Sequence, residues 1–72
     1  MTQEEFIDVI KEVFPSSADV LGPETRYMEL SDWNSMTALV LMTTLGEHFD
    51  VSVSPDEVTE HETLGDLFRF IN

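Results

Sequence analysis

Cysteine does not occur in this 72-residue chain. Disulfide staples, thiolate metal ligands and a cysteine nucleophile are therefore excluded. Cations are nearly as scarce. Lys11, Arg26 and Arg69 stand against fifteen Asp and Glu residues, for a formal net charge of -12. A surface so poor in Lys and Arg cannot neutralise nucleic-acid phosphates and is repelled by anionic lipid, so no nucleic acid is expected as a partner. No stretch reaches the run of about 18 apolar residues that a membrane-spanning helix needs, and no membrane insertion is expected. The first residues, Met1 to Phe6, carry acids where a secretory leader needs basic residues and an apolar run. A cytoplasmic protein follows as the expectation. The acidity favours solubility and monomeric behaviour and steers the chain toward basic partner surfaces. With only 72 residues there is room for one domain, 1–72, which buries only about 60% of the surface of its unfolded chain. Stability must then come from economical helix packing.

What is present is helical periodicity. Residues 2–14 are predicted as a first helix, with Thr2 and Glu5 at capping-box spacing and Phe6, Val9, Ile10, Val13 and Phe14 on one apolar face. Pro15 stops it. Residues 15–34 form a long connection in which 17–21 make a short helical turn ended by Gly22 and Pro23. Val20, Leu21, Tyr27, Met28, Leu30 and Trp33 are expected to pin that connection to the core. Residues 35–49 are the second helix, capped by Asn34 or Ser35. Ala38, Leu41, Met42, Leu45 and Phe49 face inward, Met36 and Leu39 fall partly off that face, and Thr37, Thr43, Thr44 and Glu47 line the polar side. Gly46 weakens the helix near its end. Val51 and Val53 then point inward. Ser54 caps a short helix begun by Pro55, and Thr63 with Asp66 caps a last helix whose core face is Leu64, Leu67, Phe68 and Ile71. No strand has a partner to pair with. The fold class expected is all-α: a small bundle of three main helices plus one short helix, with a long loop between the first and second.

Among six serines, Ser16, Ser17, Ser31, Ser35, Ser52 and Ser54, the ordinary role is that of a turn or cap residue. Ser35 stands apart because it sits where a turn enters the longest apolar-periodic helix. An anionic group on its hydroxyl would lie beside free amides and the positive end of the helix dipole. As a catalytic nucleophile it lacks a base. His48 lies about 20 Å along the same helix, and His61 lies far on in the chain. Both read as ordinary surface or half-buried residues, and no catalytic residue is assigned. Asp50, Ser52, Ser54 and Asp56 place oxygens at alternate positions, but Pro55 and His61 stand where a calcium loop needs glycine and glutamate, so no metal site is assigned. Met36 and Leu39 form a candidate apolar patch beside the serine.

Taken together, the chain resembles the acyl carrier protein family over nearly its whole length. The family's Asp-Ser-Leu motif opening a second helix is matched here by Trp33-Asn34-Ser35-Met36. The stretch Thr37 to Val53 is similar to the family's second helix with its Glu-x-Phe ending and short extended turn. Glu62 to Leu67 is similar to the start of its last helix. The resemblance implies that Ser35 carries a covalent 4'-phosphopantetheine, donated by coenzyme A through a phosphopantetheinyl transferase. The arm's thiol would hold acyl or aminoacyl groups as thioesters and present them to acyl-loading and acyl-processing enzymes, the carrier itself being no enzyme. Asn34 replaces the usual aspartate, with Asp32 partly compensating, and Met36 replaces leucine. Glu47 is the only carboxylate of the second helix, whose outer face offers Val40 and Thr44 instead. Asp32, Asn34, Met36, Leu39, Val40, Glu47 and Glu57 are the expected partner-recognition residues. Fatty acid, polyketide, nonribosomal-peptide and other dedicated pathways all fit, and Met1 at the start favours a freestanding carrier. The alternative is an unmodified interaction module of the same fold.

Overall fold

In the computed structural model, which describes residues 2–72, the chain forms four α-helices joined partly by 3-10 turns. They are α1 (Gln3–Val13), α2 (Ser35–Phe49), α3 (Pro55–Glu60) and α4 (Leu64–Ile71). Two 3-10 helices, Pro15–Val20 and Tyr27–Glu29, lie in the connection between α1 and α2. Among the described residues the only extended pairing is a single bridge between Arg26 and Thr63. The all-α expectation holds, as do the four helix positions.

Each helix starts where a side chain can satisfy its orphan amides. Glu5 N–H donates to Thr2 Oγ1 at 3.2 Å. The reciprocal half of that cap differs from expectation. The Glu5 carboxylate accepts from the Thr2 hydroxyl at 3.1 Å, not from the Thr2 amide. Full capping boxes open α2 (Asn34 with Thr37), α3 (Ser54 with Glu57) and α4 (Thr63 with Asp66). At its far end α2 stops on Asp50, in the left-handed region at φ 54°, whose N–H donates to the Gly46 carbonyl. A Cβ on Gly46 would stand 3.3 Å from the Val51 carbonyl oxygen, so the absent side chain lets the returning chain close over the helix end.

The core gathers Phe6, Ile10 and Val13 from α1, Phe14 just after it, Leu41 and Leu45 from α2, Val58 from α3, and Leu64 and Leu67 from α4. Helix α1 packs against α2 and α4, and α3 packs against α2. The Phe6 ring lies 5.5 Å from Phe68 and 6.1 Å from Phe49, tying α1 to both neighbours. Such aromatic pairs add roughly 0.5–1.5 kcal/mol beyond their buried area.

The long connection is more ordered than its sequence suggests. Pro15 both ends α1 and occupies the first turn of a 3-10 helix that starts two residues earlier than expected. Tyr27 is wholly buried, and Leu21, Met28, Leu30 and Trp33 pack on the core as expected. Val20 does not: it is 68% exposed. The backbone becomes extended at Leu21, where neighbouring side chains point to opposite sides. Leu21 takes the inward position and Val20 is left in solvent.

Candidate functional site

The turn that enters α2 is held from three sides. Trp33 N–H donates to the Leu30 carbonyl at 3.0 Å. The Trp33 ring lies 5.6 Å from Tyr27, edge to face, and 6.2 Å from Phe14. The Asp32 carboxylate accepts from the Ser17 hydroxyl at 3.3 Å.

Of the two residues able to cap α2, Asn34 does so. Its Oδ1 accepts from Thr37 N–H at 3.0 Å, and its own N–H donates to Thr37 Oγ1 at 2.9 Å. Ser35 is thereby the first residue inside the helix. Thr37 turns out to be a cap partner. The Asn-x-x-Thr spacing carried that signal, although threonine is a weaker version of the usual acidic or amide partner.

With the cap assigned to Asn34, the Ser35 side chain is exposed and makes no hydrogen bond to another described residue. The amides of Ser35 and Met36 likewise have no acceptor among the described residues, whereas Thr37 N–H is taken by Asn34. No acidic residue lies in the first turn of α2. A phosphate ester on Ser35 Oγ would therefore meet two free amides and the positive helix end, with no helical carboxylate beside it. The local chemistry fits an anionic group bonded at this hydroxyl.

Nothing nearby would activate Ser35 as a nucleophile. His48 sits near the other end of α2, with Nε2 3.7 Å from Glu12 Oε2. His61 holds Nδ1 2.7 Å from the Glu57 carbonyl oxygen, and its ring centre is 4.6 Å from that of Phe70. Among the described residues no group of three or more His, Asp or Glu is arranged to hold a metal ion.

The residues singled out from sequence for partner recognition fall into two sets. At about 100° per residue, Met36, Leu39, Val40 and Glu47 share one side of α2. Met36 is 69% exposed, Leu39 56% and Val40 40%, and Glu47 is exposed as well. Asp32, Asn34 and Glu57 have side chains engaged within the molecule. Asp32 accepts from Ser17, Asn34 caps α2, and Glu57 Oε1 accepts from Ser54 N–H at 2.8 Å. The bonds from Ser54 hold the Glu57 carboxyl below its ordinary value. A groove of about 530 Å³ flanks the turn, between Glu12, Val13, Pro15 and Ser16 on one side and Ser31, Asp32, Asn34 and Thr37 on the other.

Besides the capping role of Thr37, sequence reasoning missed two residues that set this geometry. Ser17 is buried and reaches Asp32, fifteen positions away. Gly65 meets the loop: its N–H donates to the Pro23 carbonyl at 2.8 Å, and a Cβ there would stand 2.9 Å from that oxygen.

A family model described as a phosphopantetheine attachment site matches residues 4–71. Neither the curated proteins nor the solved structures give a match.

Proposed function

Since the chain belongs to the family of phosphopantetheine attachment domains, we propose that Ser35 is the residue that carries its arm. Domains of this family bear 4'-phosphopantetheine and act as carriers, not as enzymes. The observation that carries the assignment is the pairing of a free, exposed hydroxyl on Ser35 with two unoccupied amides at the first turn of α2.

The arm supplies the thiol on which a thioester is held. What the chain's own residues do is limited and specific. Asn34 and Thr37 fix the start of α2 and leave Ser35 Oγ in solvent, open to a transferase that brings coenzyme A. The amides of Ser35 and Met36 favour the negative charge of a phosphodiester there. Met36, Leu39 and Val40 offer an apolar strip that loading and processing enzymes can cover, with Glu47 and the net charge of -12 drawing basic surfaces toward it. The cargo is an acyl or aminoacyl intermediate of fatty acid, polyketide or a related dedicated biosynthesis, and the carrier works as a cytoplasmic monomer. Asp32, Asn34 and Glu57 serve recognition through the backbone they hold. Their carboxylate and amide groups are already bonded internally.

Intact mass before and after incubation with coenzyme A and a broad-specificity transferase tests this reading, with peptide mapping of the product. One arm on the peptide containing Ser35, and none on Ser35→Ala, is the expected result. Transfer to Ser35→Ala, or no transfer to the wild-type chain by several transferases, would overturn it and favour an unmodified interaction module of the same fold.

A further inference from the structure

We infer that Ser17 and Asp32 form a latch that fixes the turn carrying Ser35, and that Asp32 serves the site through this bond and not as a docking charge. The inference rests on Ser35 being the attachment residue.

Ser17 is only 8% exposed, and among the described residues it is the single buried polar one. Its hydroxyl donates to Asp32 Oδ2 at 3.3 Å, joining the 3-10 helix after α1 to the turn before α2. The donor's own position is set by backbone, because Ser17 N–H donates to the Phe14 carbonyl at 3.0 Å. The acceptor is set from its other side. The Asp32 carbonyl accepts from Thr37 Oγ1 at 2.8 Å, and Thr37 also completes the α2 cap. Asp32 therefore ties the first turn of α2 through its carbonyl and the loop after α1 through its carboxylate. Ser35 lies within the stretch that the bond from Thr37 to Asp32 closes.

A buried hydroxyl needs a partner, and a carboxylate is a strong acceptor for it. Without the bond, Trp33 still packs on Phe14 and Tyr27, so the domain stays folded. The turn then samples more arrangements. An enzyme that must bind one of them meets a smaller competent fraction, and its apparent affinity falls by that fraction. The chemical step, once the turn is bound, is unchanged. Ser17 and Asp32 are thus positioning residues.

The test is the kinetics of arm transfer from coenzyme A to the full chain by a broad-specificity transferase, read alongside Trp33 fluorescence. Trp33 is the only tryptophan and adjoins Asp32. Ser17→Ala should raise the KM for the carrier about three- to tenfold with kcat unchanged. It should also shift the Trp33 emission to the red. Asp32→Asn keeps an oxygen acceptor for Ser17 and drops the charge, so its KM should stay near that of the wild type. Asp32→Ala should match Ser17→Ala, and the double variant should lose no more than either alone. Wild-type KM in Ser17→Ala overturns the latch. So does a larger loss in Asp32→Asn than in Ser17→Ala, which would make Asp32 a docking charge. If the wild-type chain takes no arm, the Ser35 reading fails instead. The latch is then judged by Trp33 emission alone, and an unshifted spectrum in Ser17→Ala overturns it.

Discussion

The hydroxyl of Tyr27 donates to the carbonyl of Val58, thirty-one positions further along the chain. The same oxygen lies 3.1 Å from the His61 carbonyl. The long connection is thereby bonded to α3 at Val58 and to His61 just after it, and the Tyr27 ring supports Trp33 beside the turn that enters α2. Tyr27→Phe should keep the ring and lose the bond, leaving buried carbonyls short of a donor. A loss of about 1–3 kcal/mol is expected by denaturant titration, with the helical signal of the folded state retained.

Burial, and secondarily the charge of Asp66, push the Tyr27 hydroxyl from 10.0 up to about 12. A proton held more tightly in the folded chain than in the unfolded one stabilises the fold below the unfolded value. That contribution is complete below pH 10 and is lost as pH rises through about 12. The melting temperature of the wild type should fall through this window together with the appearance of phenolate absorbance. Tyr27→Phe should show a flatter profile.

Gly65 has no room for a side chain, since a Cβ would stand 2.9 Å from the Pro23 carbonyl oxygen. Gly65→Ala must push the loop away from the start of α4 or distort the bond from Gly65 N–H to that carbonyl. Destabilisation of about 1–3 kcal/mol is expected despite alanine's higher helix propensity. A more stable Gly65→Ala protein would mean that the loop is not held against α4.

Glu57 and Asp66 are both held below their ordinary values, Glu57 by the bonds from Ser54 and Asp66 by those from Thr63. An acid with a lowered folded value contributes stability above its unfolded value and loses it as pH falls through the folded one. The stability difference between wild type and Glu57→Gln should therefore be largest above pH 4.5, the ordinary value for Glu57, and should shrink toward zero in stronger acid. Chemical denaturation at a series of pH values measures it.

The exposed apolar strip separates stability from recognition. Leu39→Ala and Met36→Ala remove side chains that are more than half exposed, so stability should stay within about 0.5 kcal/mol of wild type. If partner enzymes cover the strip, their affinity should fall about tenfold in calorimetric or kinetic assays of the loaded carrier. Unchanged affinity in both variants would remove α2 from the recognition surface.

The chain's acids should also make the fold salt-sensitive. With a net charge of -12, self-repulsion is screened as the Debye length shrinks from about 10 Å at 0.1 M salt to about 3 Å at 1 M. The melting temperature should rise with added salt, and a salt-independent melting curve would contradict this.

Sequence by itself determined the four helices, the capping residues of α1, α3 and α4, and the place of Ser35 at the entry to α2. Those features are local: apolar residues three and four apart, and a hydroxyl or amide reaching an amide three residues on, as at Asn34 and Thr37 or Ser54 and Glu57. It left open whether Asn34 or Ser35 would cap α2, because either side chain can accept from an amide in the first turn. Only the tertiary structure decided that Leu21 and not Val20 turns inward, that Tyr27 bonds across to α3, that Gly65 lies against Pro23, and that Ser17 reaches Asp32. These contacts join residues fifteen or more positions apart, or depend on where an irregular loop turns its backbone. No periodicity encodes them, because they exist only once the helices have packed and brought distant backbone together.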